Sequence, residues 1–224
     1  MGVNGKGTFV PAEGRRPLFR GVRFHVMGLK GKIIESVINS SDIRYIDSDM
    51  RDGTTIVILK DGLTIHVTEK GYEAANQWGQ RENVVKYGRV FDGDMIPEVT
   101  LRVDDITGID ISTRDNYTVL VKAEFGVFPV VGKHETVVDK ASYCRPFAVF
   151  HKMTDSSPSL IAVPIDMITG VETSGIDSST LVRTQIGKIR IAESVDEAIA
   201  TIDREADEFE AGLAEAESPM KKRP

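Results

Sequence analysis

The chain has 224 residues, 41% of them apolar and 28% charged, which is enough apolar material for a buried core in one large domain or several small ones. A net charge of −6 and a pI near 5.3 weigh against bulk nucleic-acid binding, which needs a positive field to displace counterions. The single cysteine, Cys144, excludes a disulfide framework within the chain and a multi-cysteine zinc site.

No apolar run approaches the roughly 20 residues needed to span a bilayer. The opening residues lack the apolar core of a secretory signal, and Lys6 stands where N-myristoylation requires Ser or Thr. The expected setting is cytoplasmic, or a virion if the protein is viral.

In chain order, residues 1–21 read as a flexible basic arm. Residues 1–30 carry Lys6, Arg15, Arg16, Arg20, Arg23 and Lys30 against Glu13, and no clear periodicity precedes Phe19. The run Gly2 to Thr8 lacks the preceding strand of a phosphate loop, and Gly7 interrupts its Gly-Lys-Thr order.

Three stretches then share one pattern, predicting tandem units over 22–80, 86–142 and 146–204. Ile43, Ile106 and Ile168 fall 63 and 62 residues apart, and Ile46, Ile109 and Val171 repeat that spacing three residues later. Asp42 and Asp105 precede the first two of these positions, and Met167 precedes the third. β-Branched runs follow at Thr54 to Leu59, Tyr117 to Val121 and Thr180 to Thr184. Gly62, Gly126 and Gly187 then mark turns into a second run, as in the alternating Leu63, Ile65 and Val67. That is a β-hairpin signal. Val67, Val131 and Ile191 close these strands, and Ala74, Val138 and Ala198 sit in short helical segments. In the third stretch Ser194 and Glu197 have the spacing of a capping box.

A further hairpin is predicted ahead of each meander. The clearest is "VRFHVMGLKGKIIESVI", turning at Gly28 to Gly31. One such unit is too small to bury a core well alone. Three are expected to stack their sheets or to form a ring or a line. The fold class is therefore mostly β with short helices (α+β): three tandem hairpin-plus-meander-plus-helix repeats and a C-terminal amphipathic helix.

The strand–turn–hairpin–helix pattern of "GLKGKIIESVINSSDIRYIDSDMRDGTTIVILKDGLTIHVTEKGYEAA" resembles the small flagellar FlbD-type proteins. The stretch "RVDDITGIDISTRDNYTVLVKAEFGVFPV" resembles the LytTR DNA-binding domain through Asp105, Ile106, Ile109, Tyr117 and Gly126. The quoted stretches span 48 and 29 residues, and both resemblances imply a β-meander with a helix. The second also implies DNA contact, through a loop that here reads "STRDNY" and holds Arg114 as its only base.

Catalytic signals are few. His25, His66 and His151 fall in predicted strands and His134 near a helix start, none beside a nucleophile-elbow pattern. "DSDMRDG" from Asp47 misses the register of a calcium loop and reads as an acidic turn. Asp104 and Asp105 are adjacent, so on a strand they would point to opposite faces and could not act as an acid–base pair; a turn or capping role is expected.

The other end is acidic. Residues 193–217 hold ten acids and one base, Arg204. Val195, Ile199, Ile202, Ala206, Phe209 and Leu213 follow a seven-residue rhythm. The helix packs on its own unit or against another subunit, and residues 205–224 are assigned to an acidic helical tail with a basic end. Opposite charge at the two ends suggests head-to-tail association.

The expected function is a non-enzymatic protein-interaction or structural component of a larger assembly, with a phage or virion accessory protein as one fit. The alternatives are a LytTR-like DNA-binding regulator and a small-ligand-binding, sponge-like protein. Protein is the expected partner, as a homo-oligomer or within a multi-protein assembly. No nucleic acid, membrane, metal or cofactor is expected. The candidate interaction residues are Arg15, Arg16, Arg20, Arg23, Ile199, Ile202, Phe209 and Leu213.

Overall fold

A computed structural model describes residues 19–48, 54–89, 98–111, 118–154 and 159–217. The described residues form fifteen strands in two antiparallel sheets and three α-helices. The predicted mostly-β α+β class is the observed one.

The first run of elements is β1 (Gly21–Met27), β2 (Ile33–Asn39), a 3₁₀ turn at Ser40–Asp42, β3 (Ile43–Ser48), β4 (Thr55–Leu59), β5 (Thr64–Val67) and α1 (Gly71–Gly79). The same order follows as β6 (Val84–Gly88), β7 (Glu98–Arg102), a turn at Val103–Asp105, β8 (Ile106–Ile111), β9 (Thr118–Ala123), β10 (Gly126–Val131) and α2 (His134–Ser142). It occurs again as β11 (Phe147–Lys152), β12 (Ser159–Pro164), a turn at Ile165–Met167, β13 (Ile168–Thr173), β14 (Thr180–Thr184), β15 (Gly187–Ile191) and α3 (Val195–Glu217). Each run is a unit.

Local chemistry explains the elements. In β1, Val22 and Phe24 are buried while Arg23 and His25 face solvent, the period-two pattern of a half-covered strand. The β4–β5 turn places Gly62 at φ +88°, where a side chain would be strained. Each third strand carries a bulge directly after its 3₁₀ turn, between Ile43 and Tyr45, Ile106 and Gly108, and Ile168 and Gly170.

The helix α3 starts as the capping box predicts. Ser194 Oγ accepts from the Glu197 amide, and the Ser194 amide donates to Glu197 Oε2 at 2.8 Å. The helix runs unbroken from Val195 to Glu217. Ser194→Ala is expected to lower the melting temperature by about 2–4 °C, the usual cost of a lost cap in a chain of this size. An unchanged melting curve would show that the cap contributes nothing.

Three hydrophobic clusters follow the units. The first centres on Phe24, Ile43, Ile46 and Trp78, the second on Tyr87, Leu101, Ile106 and Val121, and the third on Phe150, Val163, Val182 and Ala198. The sheet orders, β2-β1-β5-β4-β3-β7-β6 and β10-β9-β8-β12-β11-β15-β14-β13, show how the units meet. Neighbouring units join edge to edge by strand pairing. The third strand of one unit takes the second strand of the next as its neighbour, β3 with β7 and β8 with β12.

Candidate interaction surfaces

The two internal junctions share one register. Thr100 lies opposite Ile46 at the first, and Ala162 lies opposite Ile109 at the second. Thr100 and Ala162 each stand three residues before their 3₁₀ turn, and Ile46 and Ile109 each stand three residues into the third strand. All four are essentially fully buried.

An acid one residue further along pins each junction. Asp47 pairs with Arg89 of the next unit, and Asp110 pairs with Lys152 of the next unit at 2.9 Å and with its own unit's Lys122 at 2.8 Å. Burial alone would raise the Asp110 carboxyl, but hydrogen bonds from Lys122 and Lys152 outweigh it and hold the pKa below the usual value. A lowered folded-state pKa means stability that is present above the ordinary carboxylate value and is lost as pH falls through the folded value. Asp110→Asn is therefore expected to lower the unfolding free energy by about 2 kcal/mol at pH 6. That difference should shrink below about pH 4. Urea titrations of both proteins across this range check the sign, and a pH-independent difference would refute it.

Aromatic packing completes the first junction. Tyr45 stacks on Phe125 with centroids 5.5 Å apart and meets Phe128 edge-on at 5.2 Å. Gly108 takes the Tyr45 position in the second unit, and a cleft of about 270 Å³ opens there between the second and third units. Lys122, Lys152, Lys188 and Arg190 line it. Asp110, Glu172 and Asp177 already pair with these four cations.

Among the described residues the sheets end on β2 and β6 and on β10 and β13; β6 and β10 meet through an Arg89–Val130 bridge, while β2 and β13 have no described strand on their outer side. Val37 holds the position of Thr100 and Ala162, three residues before its turn, and is 49% exposed where they are 2% and 0%. Ile33 and Ile34 on the same strand are also more than half exposed. On β13, Val171 holds the position of Ile46 and Ile109 and is only half-buried.

Hydrogen-bond parity shows which groups face outward. The Gly28 amide donates to the Lys32 carbonyl, and the Ser40 amide donates to the Arg20 carbonyl, both at 2.8 Å. Alternation along an antiparallel pair then directs the N–H and C=O of residues 33, 35, 37 and 39 to the open side. On β13 the Ser174 amide donates to the Ser179 carbonyl at 2.7 Å, so Val171 and Thr173 face outward.

The residues singled out from sequence fall in several places. Arg15 and Arg16 lie outside the described residues, as do the phosphate-loop-like run, the "STRDNY" loop and residues 49–53 of the acidic turn. Arg20 is exposed and donates to the Arg81 carbonyl, while Arg23 on β1 pairs with Glu35 on β2 at 3.4 Å. Ile202 packs on the third cluster and Ile199 is exposed. Phe209 and Leu213 line a mostly apolar groove of about 480 Å³ with Tyr143, Pro146 and Phe147. The acidic helix and basic Arg20 and Arg23 are not brought together by any described contact.

Other chemical groups have structural partners. One Glu69 oxygen accepts from both the backbone amide and ring Nδ1 of His25, and Glu193 repeats this with His151. Each latch ties the first strand of its unit to the segment before the helix. The His134 ring bonds the Ile109 carbonyl through Nε2 at 3.0 Å. Burial, with the nearby Asp104, pushes the Cys144 thiol up and keeps it protonated at neutral pH. Asp105 lies in a 3₁₀ turn, the turn role expected for it, and pairs with Arg102. No group of three His, Cys, Asp or Glu able to hold a metal occurs among the described residues, and no described helix is long and apolar enough to cross a membrane.

No family model, characterised protein or solved structure matches the chain.

Proposed function

We propose that the protein is a non-enzymatic interaction component of a larger assembly, built from three tandem copies of one strand-rich unit. The strands that close each internal junction occur again at β2 and β13, where no described strand covers their outward backbone groups, and this observation carries the reading. Unpaired strand edges are templates for another polypeptide. Val37, Ile33 and Ile34 add exposed apolar surface beside that edge. The groove under Phe209 and Leu213 offers a second apolar contact. The acidic balance favours protein over nucleic acid as partner. A phage or virion accessory component is one setting for such a protein.

Gel filtration of the full chain from its native extract, with and without nuclease, tests this. It is expected to elute well above its own 24.6 kDa in both runs. Elution at the monomer mass would overturn the proposal, and a nuclease-sensitive large species would move the protein to the DNA-binding class.

A further inference from the structure

We infer that the partner on these edges is a second copy of the chain, with β2 of one copy adding antiparallel to β13 of the next. The inference rests on reading the protein as an interaction component. The internal junctions supply the template, because each joins a second strand to a third strand in one fixed register. Transferred to the open edges, that register sets Val37 opposite Val171, Ser36 opposite Glu172 and Ile38 opposite Gly170.

Three observations agree. Val37 and Val171 both direct their backbone groups outward, so they can exchange two hydrogen bonds across the junction. The exposed Val37 would become as buried as Thr100 and Ala162. Glu172 falls at the position of Asp47 and Asp110, so all three third strands carry an acid there. One difference weakens the contact. The positions of Arg89 and Lys152 are filled in the first unit by Val26, and Glu172 keeps its own-unit partners Arg183 and Lys188. Association is therefore reversible and concentration-dependent. The pairing is head-to-tail, so repetition gives a closed ring or an open filament.

Light scattering on the purified full chain over a wide concentration series tests this. The average mass is expected to rise above 24.6 kDa with concentration. Val37→Pro removes one outward N–H and leaves the β1–β2 ladder whole, as proline on an edge strand can. Val171→Pro does the same on the other edge. Each variant alone should stay at monomer mass with unchanged tryptophan fluorescence. Mixed, they should form a one-to-one dimer, because each keeps the edge the other lacks.

A wild-type monomer at every concentration overturns the inference. If that monomer still enters a larger species in extract, a different protein covers the edges and the interaction reading survives. Slow amide exchange along β2 in a pure monomer also overturns it, assigning the edge to another segment of the same chain.

Discussion

Replacing Arg145 with Ala is expected to lower the unfolding free energy by about 3–4 kcal/mol. Arg145 lies between α2 and β11 with its guanidinium buried. Its Nη1 donates to the carbonyls of Val103, Asp104 and Ile106 at 3.2, 3.1 and 2.8 Å. Its Nε and Nη2 bond the two oxygens of Asp166 at 2.8 and 2.9 Å. One side chain thus ties the 3₁₀ turn of the second unit to that of the third. Asp166 is 63% exposed, so water screens the ion pair, and the carbonyl bonds carry most of the effect. Removing the guanidinium takes a donor from three carbonyls, of which Val103 keeps the Ile106 amide, and a buried acceptor left short costs more than the bond itself contributes. Arg145→Lys should recover little, because an ammonium cannot fork to three carbonyls and a carboxylate at once. Urea denaturation checks both variants. A loss below about 1 kcal/mol would show that water replaces the guanidinium freely.

Trp78→Ala should cost a similar or larger amount, about 4 kcal/mol. Trp78 is fully buried in the first cluster, and its Nε1 donates to the Ser40 carbonyl at 3.2 Å. Truncation removes the largest side chain of that cluster, leaves a cavity and takes one of two donors from the Ser40 carbonyl, which keeps the Ile43 amide at the 3₁₀ turn that leads into β3. The clusters are separate, so the damage should be local first. Hydrogen exchange is expected to quicken in β1, β3 and α1 well before β12 and β14. Uniform acceleration through all three units would mean that the chain unfolds as one cooperative block. Trp78→Phe keeps most of the apolar volume and should recover more than half the loss, failing only in the bond to Ser40.

Strands and turns were legible because their signals are local. Alternation in Leu63, Ile65 and Val67, glycine at 62, 126 and 187, and the Ser194–Glu197 spacing each act within a few residues, and the elements formed there. The way the units meet was not legible. Whether β3 stacks on β7 or pairs with it depends on partners about 50 residues apart, which no short-range periodicity encodes. The His25–Glu69 latch was hidden for the same reason, since the histidine alone fits a strand face. One signal was available in principle. Acids stand four residues after Ile43, Ile106 and Ile168, and Asp47 and Asp110 turn out to be junction residues. The heptad-like stripe of α3 marked a real helix, but it could not show that Ile202 turns inward while Ile199 does not. Arg145 sits in a short connection without a motif, so its five donors could not be assigned partners from sequence.

The junction strands also set a clock on the ribosome. β3 is complete at Ser48, yet its neighbour β7 begins only at Glu98. At typical synthesis rates the growing chain therefore carries a bare strand edge for roughly 3–10 s before its own next segment arrives. The second unit then repeats the wait, with β8 exposed until β12 emerges. Two nascent chains on neighbouring ribosomes could capture each other in that interval, exchanging whole units. Slow codons between the units would lengthen the hazard, and chaperone binding to the bare edge would shorten it.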